Sequence, residues 1–498
     1  MSRVLPASPN LEHLKKEAKV LLRAASRGEP EALERFRAVG HFSAAAPPKL
    51  SDAHHLLANE YGFTNWSSLK SEVLVRASDA NPFAALAAAV RAGDTSRASS
   101  ILSRHSNLKR RLDDSLPNDD FGGTALTTAA SAKSQEMIRL LLDAGANIDA
   151  KTHWWAGGFG VLEFATPETA ALLLERGATV SAVSAAKLGM IERLTELLDA
   201  DPSRVGERGG DGHTPLHVAA TVDIARLLLD RGADIDALDV DHESTPAMYL
   251  VREHTDVTQY LISRGCRTDI LMAAAVGDLD LVRGYLDRDP EAIRTTVSAK
   301  YFPQKNPRAG GTIYIWTLGG NKSVHVVARE FGHENIINFL MERTPDVVAL
   351  AVAAEIGDER RVDELLERQP SLPSMLGPEE QFRLLTSAEA NNTRAVHLML
   401  RVGWQCSAGR GVHATALHWA GFHGNAEMVR DLIAHNAPVD ATEPQFNGTP
   451  LGWTLYGSLN CWHRRTGDYP ASASALLAAG AALPENPVAT DEVLAVLS

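Results

Sequence analysis

Apolar residues recur along most of this chain in short blocks, three or four positions apart, and each block stops at a polar turn. That spacing lines one face of a helix. Six blocks share one form: "LLLDAGANIDA" (140–150), "LLLERGATVSA" (172–182), "LLLDRGADIDA" (227–237), "YLISRGCRTDI" (260–270), "LMLRVGWQCSA" (398–408) and "DLIAHNAPVDA" (431–441). Each predicts a helix that ends at Gly or Asn, the residues that tolerate the left-handed conformation of a helix stop. Gly145 to Gly177 is a step of 32 residues, and Gly232 to Gly265 and Gly403 to Asn436 are steps of 33.

A second pattern lies upstream of several blocks: "GGTALTTAA" (122–130), "GHTPLHVAA" (212–220), "ESTPAMYL" (243–250), "HATALHWAG" (413–421) and "NGTPLGWTL" (447–455). Thr caps a helix start through its side-chain oxygen, and Pro suits the first helical position because its missing N–H is not needed there. Small Ala pairs let two helices approach closely. Further stretches keep the rhythm without the motif, with Gly-Asp between two helices at 88–108, 272–293 and 351–372.

Thr214-Pro215-Leu216-His217 followed by "LLLDRGADIDA" resembles the ankyrin repeat, and weaker copies run along 81–483. The resemblance implies an all-α fold, a solenoid of roughly eleven or twelve units, each with two antiparallel helices and a short hairpin loop. It also implies that first helices and loop tips line the partner-facing side, and that the motif histidines His217 and His418 bond backbone groups. Three insertions interrupt the rhythm, near 151–160, 297–320 and 459–469. Residues 1–76 lack the motif. "NLEHLKKEAKVLLRAAS" (10–26) and "SDAHHLLANEYGFTNWSSLKSEVLVR" (51–76) read as helices around a loop at 44–49, a small N-terminal domain or cap of a kind that precedes repeat arrays in bacterial proteins. Residues 484–498 read as a closing cap.

Composition narrows the function. The 498 residues are 45% hydrophobic and 22% charged, with a net charge of −13. Such an acidic chain repels phosphate backbones, so general nucleic-acid binding is not expected. The apolar run at 83–90 is far too short to span a bilayer, and the N-terminus lacks a secretory core, so a cytoplasmic protein without membrane contact is expected. Cys266, Cys406 and Cys461 are few and far apart, which argues against a disulfide framework or structural zinc and for three free thiols.

Candidate chemistry is sparse. His418 and His423 are five apart, which turns the second ring about 140° away on a helix, so they do not form a metal pair. His325 and His333 lack the order of a zinc motif. The Lys15, Lys19, Arg23 and Arg27 stripe is diluted by acids and reads as a solvated face. The Gly-rich stretches at 154–160, 308–321 and 409–411 lack the phosphate-loop order, and "GTIYIWTLG" alternates as a β-hairpin finger would. No catalytic residue, metal or cofactor is expected.

The tryptophans point to binding. Trp419 and Trp453 fall in first helices, Trp404 in an inter-repeat loop and Trp462 in the last insertion. There Asn436 to Gly480 is a step of 44, because "SLNCWHRRTGD" enters between the two helices. This loop is basic in an acidic chain. Trp404, Trp419, His423, Trp453, Trp462, His463, Arg464 and Arg465 are therefore the expected partner-binding set, with Trp462 as anchor and the arginines pairing with carboxylates or phosphates. Cys461 and His463 are not a catalytic dyad, because side chains two apart on an extended loop point to opposite sides. An interaction scaffold for a protein partner is the leading reading. An enzyme or small-ligand receptor built on the aromatic insertions is the alternative.

Overall fold

The computed structural model describes residues 3–6, 9–38, 48–406, 414–485 and 487–497. The loop expected at 44–49 falls mostly outside them, as does the Gly-Arg-Gly of 409–411. The chain forms two compact units, Met1–Pro246 and Ala247–Ser498. Both are helical. Among the described residues there is no strand, only the isolated bridges Lys151–Gly160 and Thr296–Ser323. Among the described residues no helix is long and apolar enough to cross a membrane.

The first unit opens with helices Leu11–Ser26, Pro30–Ala38, Leu50–Glu60 and Trp66–Ala80. The apolar stripe of the first helix splits between two small cores. Ala18, Leu21 and Ala25 pack with Phe36, Leu56 and Leu57, while Leu14 packs with Leu5, Leu69 and Val73. Glu60 receives both arms of the Arg35 guanidinium at 2.9 and 2.8 Å. The fourth helix runs to Ala80, and Asn81 then caps Pro82–Arg91 by accepting from the Ala84 N–H.

From Pro82 onward helices recur in pairs, and the caps explain their bounds. Thr124 and Thr449 cap first helices, and Ser134, Asp278, Asn392, Asn425 and Asp468 cap second helices, each through its side-chain oxygen. Second helices stop at left-handed residues such as Gly232, with φ 87°, and Asn436, with φ 62°. At 215–218 the Thr-Pro-Leu-His stretch winds only a short 3-10 turn. The second unit ends with helix Asp491–Val496, whose Val493 is fully buried.

Two insertions differ from expectation. Residues 312–319 do not form a β-hairpin finger. They close into turns, with π-helical geometry over Ile315–Gly319. Alternation would put Tyr314 and Trp316 on one side, yet Tyr314 is fully buried and Trp316 is 71% exposed. The buried ring is held by its hydroxyl, which donates to Asp269 Oδ2 at 2.7 Å. In the last insertion the helix Pro450–Asn460 continues through Ser458, Leu459 and Asn460, so the added loop is only 461–468.

Candidate functional site

The last two repeats of the second unit bring most of the expected residues together. Helix Ala416–His423 carries Trp419, Phe422 and His423 at i, i+3 and i+4, and helix Pro450–Asn460 carries Trp453 and Tyr456 at i and i+3. Such spacings share a helix face. The helices approach closely because Gly421 and Gly457 sit between them. A Cβ on Gly457 would lie 2.3 Å from the Phe422 carbonyl oxygen, and one on Gly421 would lie 2.4 Å from Thr454 Oγ1.

Phe422 is the hub. Its ring lies 5.8 Å from Trp419, 5.9 Å from Trp453, 6.4 Å from Tyr456 and 5.3 Å from Trp462, mostly edge to face. Loop 461–468 delivers Trp462 and is anchored at both ends. The Cys461 N–H donates to the Gly457 carbonyl, and the Asp468 N–H donates to the Gly424 carbonyl at 2.7 Å. The Tyr469 hydroxyl donates to the Phe422 carbonyl at 3.1 Å. Trp462 rests edge-on against Phe422 and His423 but stays 65% exposed, and Tyr456 stays 61% exposed. Arg464 and Arg465 are exposed beside it. Arg464 donates to the Cys461 carbonyl at 3.4 Å, and among the described residues neither arginine forms an ion pair.

Two expected contact residues are buried. Trp404 is 3% exposed, and its indole N–H donates to the Glu380 carbonyl at 2.9 Å, so it belongs to the core. His423 is 2% exposed. Its Nε2–H donates to the Glu389 carbonyl at 2.9 Å, which leaves Nδ1 facing Cys461 Sγ at 3.8 Å. Burial lowers its pKa, with the Glu389 carbonyl working the other way. The thiol thus meets His423 and not the side chain of His463. Since Cys461 is fully buried, the pair fills the space under the patch and is closed to a substrate. Trp419, Trp453 and His463 are half-buried. Phe422 and Tyr456 were absent from the expected set, although their spacing from Trp419 and Trp453 places them on the same faces.

A cleft of about 250 Å³ adjoins the patch, walled by Trp419, Trp453, Phe382, Leu385, Glu443 and Gln445. Burial works against the Glu443 charge, but donation from the Gly448, Gln445 and Phe446 N–H groups and from Trp453 holds its pKa below the usual range. With those donors its carboxylate is engaged in shaping the loop.

The repeat histidines behave as the motif implies. His217 Nδ1 accepts from the Thr214 N–H at 3.0 Å, and Nε2–H donates to the Ser244 carbonyl at 3.1 Å. His418 makes the same bonds to Thr415 and Gly448. Burial pushes His217 down to about 3.

Family models agree with these motifs. Residues 181–272 match the model of ankyrin repeats in three copies, and 121–153 and 413–443 match the single ankyrin repeat. Ankyrin repeats are recognised at those residues. Mouse (Mus musculus) ankyrin repeat and SAM domain-containing protein 6 is 32% identical over 120 residues, which cover 23% of this chain and 13% of that protein. The matched ankyrin repeat at 413–443 includes the whole helix Ala416–His423, so two of the patch's rings, Trp419 and Phe422, stand on it.

Proposed function

We propose that this chain is a protein-interaction scaffold and that its main docking surface is the patch formed by Trp419, Phe422, Trp453, Tyr456 and Trp462 with Arg464 and Arg465. Ankyrin repeats are in general protein–protein interaction modules. The observation that carries the reading is the exposure of Tyr456 and Trp462, 61% and 65%, at the rim of an otherwise packed aromatic cluster. Large rings beside guanidinium groups that form no ion pair among the described residues suit a hot spot, where a partner excludes water from the rings and pairs with the cations. The partner chemistry that fits is an apolar side chain flanked by carboxylates, and the adjoining cleft gives that side chain a recess. The engaged Glu443 and the buried Cys461–His423 pair favour docking over a reaction chamber.

The same reading assigns residues 1–76 as a separate helical domain and 484–498 as a cap on the array. It places the protein in the cytoplasm, where its three buried free thiols stay reduced. The test is capture from the native host with full-length protein and with the Trp462→Ala/Arg464→Ala double variant. A partner retained by the wild type should fall at least about tenfold on the variant, the loss of one hot spot of about 1.4 kcal/mol or more, while Tm stays within a degree or two. Equal retention by the variant would place docking elsewhere, and a Tm several degrees lower with retention intact would make the loop structural.

A further inference from the structure

Two consecutive loops of the first unit meet around Asp211, Asp241 and His242, all buried, with potential ligand atoms within 4.8 Å of one another. Their origin is visible in the repeat itself. In "GDGHTP" and "DVDHESTP", Asp211 and His242 each stand three residues before the Thr of a Thr-Pro, and Asp241 stands four before it. The loops are joined by their backbones. The Val240 and Asp241 N–H groups donate to the Asp211 carbonyl at 2.8 and 3.1 Å. Arg208 ties them again by donating to the carbonyls of Gly212 and Leu238. Asp239 accepts from the His242 and Ser244 N–H groups, each at 2.7 Å, and so shapes the turn that presents its two neighbours.

The imidazole of His242 stands beyond hydrogen-bond distance of both carboxylates. His242 Nε2 lies 3.6 Å from Asp211 Oδ2 and 3.7 Å from Asp241 Oδ2. Both exceed the 2.7–3.2 Å of an N–H···O bond. Two ligands about 2.1 Å from a tetrahedral cation are about 3.4 Å apart, which is close to both gaps. A second observation is independent of the cluster's composition. Asp211 is 8% exposed, and its Oδ1 is buried with no hydrogen-bond partner. Oδ2 is the oxygen turned toward His242, so a cation gripped by both oxygens of Asp211 would remove the cost of leaving Oδ1 buried without a donor.

We propose that Asp211, Asp241 and His242 bind one divalent transition-metal cation that staples the two loops together. One imidazole and two carboxylates suit zinc and its first-row neighbours better than calcium, which takes six to eight oxygens. Three protein ligands leave a fourth position for water.

The test uses the full chain, stripped with a chelator and titrated with zinc chloride in a calorimeter, with thermal unfolding in parallel. One equivalent should bind saturably and raise Tm, since a ligand of the folded state stabilises it. Asp211→Asn and His242→Gln should each weaken zinc binding at least about tenfold. Asn is chosen because Asp211 has φ 52°, a conformation that Asn also tolerates. Metal-free Asp211→Asn should melt within a few degrees of the metal-free wild type, and Asp241→Asn serves in its place if that variant does not fold. Absence of saturable binding, binding unchanged in both variants, or calcium binding as tightly as zinc would overturn the assignment.

Discussion

His217 shows what a single residue can hold. It is 1% exposed and bridges the Thr214 N–H and the Ser244 carbonyl, so it links one loop to the next. Replacing it with Ala leaves two backbone groups without partners and opens a cavity, a loss of about 2–4 kcal/mol at neutral pH. The loss depends on pH. Burial depresses the folded pKa from 6.5 to about 3, so the stability that His217 contributes is present above 6.5 and declines as pH falls toward 3. At pH 5 the wild type has lost about 2 kcal/mol that the variant never had. Urea unfolding at pH 7 and pH 5 should therefore show the gap between wild type and His217→Ala shrinking on acidification. A gap of constant size would contradict the buried neutral imidazole. This role was legible in the sequence through the resemblance of Thr-Pro-Leu-His to the ankyrin motif. Trp404 was not, because a tryptophan after a helix-ending Gly reads alike whether its indole N–H meets solvent or the Glu380 carbonyl.

At the scale of elements, helix contacts in the last repeats depend on residues too small to attract attention in a sequence. Gly457 lies inside a helix, where Ala would ordinarily gain about 1 kcal/mol. Here its Cβ would meet the Phe422 carbonyl oxygen at 2.3 Å, a rigid backbone group. Gly457→Ala is therefore expected to destabilise by about 1–3 kcal/mol and to pull Tyr456 and Trp462 away from Phe422, raising the accessibility of Trp462 to a fluorescence quencher. A variant as stable as the wild type would show that the helices have room to separate. Helix bounds were legible from caps and stops. Alternation alone points to a hairpin at 312–319 because it carries no sign of Asp269, the half-buried acid that holds the Tyr314 hydroxyl from 45 residues away. The Asp211, Asp241 and His242 cluster was missed for a similar reason, since its ligands come from two loops and no local spacing marks them.

Across the whole molecule, the two compact units share one device, a pair of capped helices repeated with loops that carry the variation. The repeat was legible in the sequence because its period survives in glycine stops and apolar blocks. The patch was legible only in part. Composition pointed to the tryptophans and the basic loop, whereas burial divides them, putting Trp404 and His423 inside and leaving Trp462, Arg464 and Arg465 at the surface. The central claim is that docking occurs at that surface. Oxidative footprinting of the full chain, free and in complex with the captured partner, tests it most directly, with Trp316 as an internal control that is 71% exposed on a different insertion. The expected result is a several-fold loss of reactivity at Trp462 and Tyr456 with Trp316 unchanged. Protection of Trp316 with Trp462 still fully reactive would contradict the claim.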